Sequence, residues 1–115
     1  MPSMTIYKKW EIVLVPFPFT DLSSAKRRPA LIISPDKYNA GNDVVIAYIT
    51  SQINLPPRLG DYDLQKWKEA SLPKPSKIRM KFATLDKGII IKKIGQLEKE
   101  DSKEIEKILL SFFKS

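Results

Sequence analysis

The chain contains no histidine and no cysteine. Each absence removes chemistry. Without histidine there is no Ser-His-Asp triad and no two-histidine acid–base ribonuclease site. Without cysteine there is no thiolate nucleophile, no Cys/His zinc site and no disulfide, so nothing points to an oxidising compartment. Long hydrophobic runs are also missing. The stretch 12–19 is apolar, but Pro16 and Pro18 interrupt it. It is far shorter than the roughly 20 residues needed to span a bilayer. The first four residues, Met1-Pro2-Ser3-Met4, show no basic region leading into an apolar run. A cytoplasmic protein with no membrane contact is expected. No Walker loop and no Gly-x-Gly-x-x-Gly element occurs, so no nucleotide cofactor is indicated. Repeats and low-complexity segments are absent.

What is present fits one domain spanning residues 1–115. The length is 115 residues and 43% are apolar, enough for one core. Dimerisation would add stability to so short a chain. Lys plus Arg is 20 against 13 for Asp plus Glu, a net charge of +7. That favours an anionic partner without choosing among nucleic acid, acidic protein and lipid. Between residues 74 and 93, Lys74, Lys77, Arg79, Lys81, Lys87, Lys92 and Lys93 face Asp86 alone. This stretch reads either as a polyanion-binding surface or as ordinary solvated strand edges. Between residues 98 and 106 the sign reverses, with acids outnumbering Lys99 and Lys103.

Three apolar, β-branched runs predict strands over 11–15, 30–34 and 44–50. The gap between the second and third is too short for a helical crossover, so antiparallel pairing in a small sheet or barrel is expected. Residues 16–29 read as a long binding-type loop, with Phe17 and Phe19 pinning it to the body. Residues 38–42 carry turn chemistry, and 61–64 read as a short strand. Residues 77–82 alternate basic and apolar side chains, which predicts a half-buried strand with Lys77, Arg79 and Lys81 on one exposed basic face. Residues 83–88 read as a connection and 89–94 as a last strand. The barrel core is expected over about 10–97. Ile105, Ile108, Leu109 and Phe112 then follow helical spacing, predicting an amphipathic helix over about 101–113 with Asp101 and Glu104 as its capping box.

Chemistry must come from Arg, Lys, acids and hydroxyls. Lys26-Arg27-Arg28 stands where the long loop meets a strand. Arginine offers phosphate a planar fork of donors and stabilises developing negative charge. Read alone, the cluster is first of all a basic surface turn before a strand. Thr50-Ser51-Gln52 ends a buried strand, as either a rigidly held hydroxyl pair or plain polar termination. The acids Asp21, Asp36, Asp43, Asp61 and Asp63 include one alternating pair, Asp61 and Asp63, which is thin support for a hard cation.

Taken in order, three segments resemble the MazF/PemK toxin endoribonucleases. They are Ile12 to Asp21, Lys26-Arg27-Arg28-Pro29-Ala30-Leu31-Ile32-Ile33-Ser34, and Ala47-Tyr48-Ile49-Thr50-Ser51-Gln52. Lys77-Ile78-Arg79, Ile91 to Leu97 and the terminal helix fit the same pattern, so the likeness runs from about Trp10 to Phe113. It implies a mainly β fold, a small SH3-like barrel with a C-terminal helix, and a homodimer. It implies a metal-independent, cofactor-free endoribonuclease that cuts single-stranded RNA, leaving a 2′,3′-cyclic phosphate and a 5′-hydroxyl. A cognate antitoxin would cover the RNA groove with a disordered acidic segment, and no DNA binding is expected from the toxin alone.

The resemblance assigns catalysis to Arg28 and Thr50, with Ser51 as a helper and no metal. RNA contacts are expected from Lys26, Arg27, Phe17, Phe19, Gln52, Arg58, Lys77, Arg79 and Lys81. Two other readings make different predictions. A non-catalytic RNA-binding barrel would bind RNA in a salt-sensitive way without cutting it. An SH3-like interaction module would prefer an acidic protein.

Overall fold

The computed structural model describes residues 6–17 and 26–114. Phe19 and Asp21 lie outside them. Six strands form one sheet: β1 (Glu11–Pro16), β2 (Arg27–Ile32), β3 (Asp43–Thr50), β4 (Tyr62–Asp63), β5 (Lys77–Asp86) and β6 (Lys92–Gln96). Their order is β4-β5-β3-β2-β1-β6 and every pair is antiparallel. The sheet curls into a half-barrel, joined by a short helix α1 (Asp36–Asn39) and a long C-terminal helix α2 (Lys99–Phe113). The mainly β barrel with a terminal helix is thus what the chain forms. No helix of the described residues is long and apolar enough to cross a membrane.

The apolar runs are nearly continuous because both faces of the sheet are covered. Ile12, Leu31, Ala47, Ile49 and Ile78 point to one face, under Leu64, Leu72, Leu97 and Ile105 of α2. Val13, Val15, Ala30, Ile32, Val44, Ile46 and Leu85 point to the other, closed by Tyr7 and Ile90. Each fully buried Ile or Leu contributes about 1.5–3 kcal/mol relative to exposure. Gly95 of β6 lets the chain turn at 66–71 come close: a Cβ there would stand 1.9 Å from the Ala70 carbonyl oxygen.

Element boundaries differ from the sequence expectation for identifiable reasons. β2 starts at Arg27 rather than Ala30, because Arg27 and Arg28 pair with Pro16 and Val15. It stops before Ser34, whose hydroxyl leaves the ladder for a buried polar knot. That hydroxyl donates to Asn39 Oδ1 and accepts from Val45 N–H at 2.9 Å, while Asn39 Nδ2 donates to the Tyr7 and Ser34 carbonyls. The turn expected at 38–42 therefore begins as helix α1. β5 runs on to Asp86 because Ala83 and Leu85 pair with Ile46 and Val44. The strand expected over 89–94 begins instead with a 3-10 turn at Lys87–Ile89, capped by Asp86 accepting from Gly88 N–H at 2.7 Å.

The expected Asp101–Glu104 capping box does not form. Helix α2 begins at Lys99, and its N-cap Glu98 makes no side-chain cap. Asp101, fully buried, is spent on the segment before it. Its carboxylate accepts from Tyr62 O–H at 2.6 Å, Gln65 N–H at 3.0 Å and Lys66 N–H at 2.9 Å. Burial, then the bond to that carboxylate, pushes the Tyr62 phenol well above its ordinary 10.0. Burial likewise raises Tyr7.

A raised phenol contributes stability that is complete below the unfolded value. That contribution is lost as pH climbs from about 10 toward the folded value, because the unfolded chain ionises first. Thermal melts from neutral to strongly alkaline pH are expected to show a falling melting temperature above about pH 10. Tyr62→Phe should lose about 1 kcal/mol at neutral pH and show a shallower alkaline fall. An identical slope in wild type and variant would remove Tyr62 as its source.

Candidate active site

The face that carries the second core is apolar only along part of its width. Toward the β2 start and the β3 end the same alternation presents Arg28, Tyr48, Thr50, Arg79 and Lys81. The β2–β3 ladder pairs Ala30 with Tyr48. Carried two residues further, that register sets Arg28 against Thr50, and both line one cleft of about 210 Å³. Arg58, Arg79 and Lys81 line it too, so four cations surround it, with Tyr48 and Leu55 as its less polar wall.

Each group is held in a definite way. The Arg28 guanidinium lies 5.1 Å from the centre of the Phe17 ring, a cation–π contact that restrains a long exposed side chain. Phe17 N–H donates to the Lys26 carbonyl at 2.9 Å, which ties the chain ends on either side of 18–25. Thr50 Oγ1 accepts from Gln52 N–H at 3.1 Å. This bond orients the hydroxyl, and its own O–H has no acceptor among the described residues. Lys81 Nζ lies 4.8 Å above the Tyr48 ring.

Asp61 decides which cations are available. Its Oδ2 accepts from Arg58 N–H at 2.9 Å and stands 3.4 Å from Arg79 Nη2 and 3.8 Å from Lys77 Nζ. The expectation that Lys77, Arg79 and Lys81 form one exposed basic face is therefore corrected. Lys77 is 5% exposed and the Arg79 side chain 11%, both turned into Asp61, leaving Lys81 open to solvent. Burying a cation is costly unless it is paired, and Asp61, itself 5% exposed, supplies the pair. Asp61 Oδ1 and Arg79 Nε are buried without hydrogen-bond partners among the described residues. The Asp61–Asp63 pair consequently does not act as one cation site. Asp61 faces ammonium and guanidinium groups, while Asp63 pairs through the backbone with Lys77 and is exposed.

The other sequence-named residues divide. Gln52 and Arg58 line the same cleft as Arg28 and Thr50. Arg27 and Ser51 line a separate cleft, because each is one residue from its neighbour along a strand or strand end. Lys26 is exposed at the approach to β2. Tyr48, Leu55 and the counter-charge Asp61 were missed. For Tyr48 the signal was present, since it stands two residues before Thr50 and shares its face. For Asp61 the spacing from Arg58 marked a turn but not its ionic partners.

Known proteins share this fold. A chain from the MazE–MazF crystal structure of Deinococcus radiodurans superposes with a TM-score of 0.73 at 17% identity, covering 96% of this chain and 97% of that one. MazF alone from the same organism gives 0.72 at 19% identity, covering 96% and 99%. An endoribonuclease in complex with its cognate antitoxin, from a mycobacterial species, gives 0.71 at 16% identity, covering 94% and 93%. At these identities the likeness establishes the fold. No curated protein matches the chain significantly. The sequence pattern of the PemK-like, MazF-like toxins of type II toxin–antitoxin systems, however, matches residues 8–113, almost the whole chain. The chain belongs to that family of toxins.

Proposed function

We propose that this protein is a sequence-selective, metal-independent endoribonuclease for single-stranded RNA. It works as a cytoplasmic homodimer and is held inactive by a cognate antitoxin with an acidic segment. The family supports the toxin role, and relatives named endoribonucleases support the activity. The observation that carries the chemistry is the pairing of Arg28 with the oriented Thr50 hydroxyl in a cationic cleft, in a chain without histidine or cysteine.

The substrate supplies its own nucleophile. The 2′-oxygen bonds to the adjacent phosphorus as the bond from phosphorus to the 5′-oxygen breaks. The 2′-hydroxyl proton is lost and the departing 5′-oxygen gains one, giving a 2′,3′-cyclic phosphate and a 5′-hydroxyl. Arg28 clamps the non-bridging oxygens with its donor fork and takes part in the proton transfer. Thr50 donates its free O–H to the charge that forms. Donors already oriented before the reaction need no rearrangement as charge develops, and this makes them strong stabilisers of the transition state. Arg58 and Lys81 bind flanking phosphates, and Tyr48 and Leu55 receive an unstacked base.

The test is incubation of pure protein with single-stranded RNA in excess chelator, with both new ends mapped. Cleavage that persists in chelator and leaves 5′-hydroxyl ends is expected. A metal requirement or 5′-phosphate ends would overturn the mechanism. Salt-sensitive binding with no new ends would reduce the protein to a non-catalytic RNA-binding barrel.

A further inference from the structure

A second basic cleft opens on the opposite face of the sheet, at the same end of β2 and β3. Its volume is about 480 Å³. The register explains its composition. Lys92 of β6 stands opposite Leu14 of β1, which stands opposite Pro29 of β2, so the three form one row across the sheet. That row belongs to the Ile12 face, not to the Arg28–Thr50 face. Arg27, two residues before Pro29, adds a second cation, and Lys74 adds a third from the chain that leads into β5.

Two facts give this cleft a ligand class. No acid lines it, and among the described residues Arg27, Lys74 and Lys92 have no ion-pair partner. Lys77 and Arg79, by contrast, are tied to Asp61. Leu14, Leu72, Pro73 and Ile94 line the cleft beside these cations and give it an apolar part. Unpaired cations around an apolar floor match a nucleotide, which has a flat base and an anionic phosphate. Arg28 lines both clefts, and Thr50 and Ser51 send successive side chains to one and the other. The two clefts therefore meet at the strand ends.

We propose that this second cleft is a flanking-nucleotide subsite. A single-stranded RNA held at Arg28 and Thr50 rounds the ends of β2 and β3, and its next phosphates are bound by Arg27, Lys74 and Lys92. The proposal rests on the ribonuclease reading for what occupies the first cleft. The shared Arg28 favours RNA over an acidic protein segment, because one continuous strand then fills both clefts.

The experiment compares Lys74→Gln/Lys92→Gln with wild type. Binding is measured by fluorescence anisotropy on a short single-stranded RNA and on the same RNA extended at both ends, each with a 2′-deoxy substitution that blocks cutting. The double variant should weaken binding of the extended RNA about five- to tenfold and lower its salt slope by about 1.4, at about 0.7 per lost phosphate contact. The short RNA should change less than about twofold. Lys74→Arg/Lys92→Arg should restore the affinity for the extended RNA, which guards against a folding effect. Equal binding of both RNAs by wild type and variant overturns the proposal. Loss of affinity for polyglutamate with RNA affinity unchanged would assign the cleft to an acidic protein segment and overturn it as well. Cleavage is followed in parallel on unsubstituted RNA. Failure of wild type to cleave counts against the ribonuclease reading alone, since the binding comparison does not need catalysis.

Discussion

Arg28→Ala is expected to lower the RNA cleavage rate by about 10³-fold or more, with the fold intact. Removing one preorganised donor from a developing charge costs about 10²–10³ in rate, and Arg28 is asked both to clamp the phosphate and to help move a proton. Other cations line the cleft, but Arg79 is committed to Asp61, and Lys81 and Arg58 come from β5 and the 51–60 loop rather than from the register row of Thr50. Arg28→Lys should rescue little, because an ammonium cannot offer the planar fork. Thr50→Ala should cost about 10²-fold, with its effect on the chemical step rather than on RNA affinity. Stability should change by no more than about 1 kcal/mol for Arg28→Ala, since the residue is exposed and gives up only its stacking on Phe17. Single-turnover rates beside circular-dichroism melts check all three variants. Unchanged cleavage in both alanine variants would sink the assignment of the catalytic pair.

The second large effect is on folding. Asp101→Ala should destabilise the protein by about 3 kcal/mol or more. The buried carboxylate satisfies three part-buried donors from outside its own helix, and the substitution removes their shared acceptor. A buried donor left without a partner costs about 1–3 kcal/mol, and a domain of this size has only about 5–15 kcal/mol in total. The damage should reach the active cleft. Tyr62, Gln65 and Lys66 hold the segment that follows Asp61, and Asp61 in turn holds Arg58, Lys77 and Arg79. Asp101→Asn keeps one acceptor oxygen and should lose less than Asp101→Ala. Urea unfolding measures both, and a loss below about 1 kcal/mol for the alanine variant would show that the carboxylate does not anchor the segment.

Much of the fold was legible because it is written in local periodicity. The apolar runs at 11–15, 30–34 and 44–50 announce strands, and the spacing of Ile105, Ile108, Leu109 and Phe112 announces the terminal helix. What failed were readings that gave a residue only its local role. Asp101 followed by Glu104 looks like a helix start, yet three donors from 62–66 claim it. Ala83 and Leu85 looked like a connection until partners in β3 carried the strand through them. Arg27 and Ser51 stand beside Arg28 and Thr50 in sequence but line a second cleft, because neighbours along a strand face opposite ways.

By itself, then, the sequence determined the chemical inventory. A chain without histidine or cysteine, with Arg28 before one apolar strand and Thr50 at the end of another, has few ways to cut RNA. Only the tertiary structure decided which charges are free. Lys77, Arg79 and Lys81 look alike in sequence, but the Asp61 carboxylate, well before them in the chain, takes two of them and leaves the third. Ion pairing depends on distance through space and on burial, and spacing along the chain gives neither. For the same reason the row of Lys92, Leu14 and Pro29 came from the strand register, which joins residues that no local pattern connects.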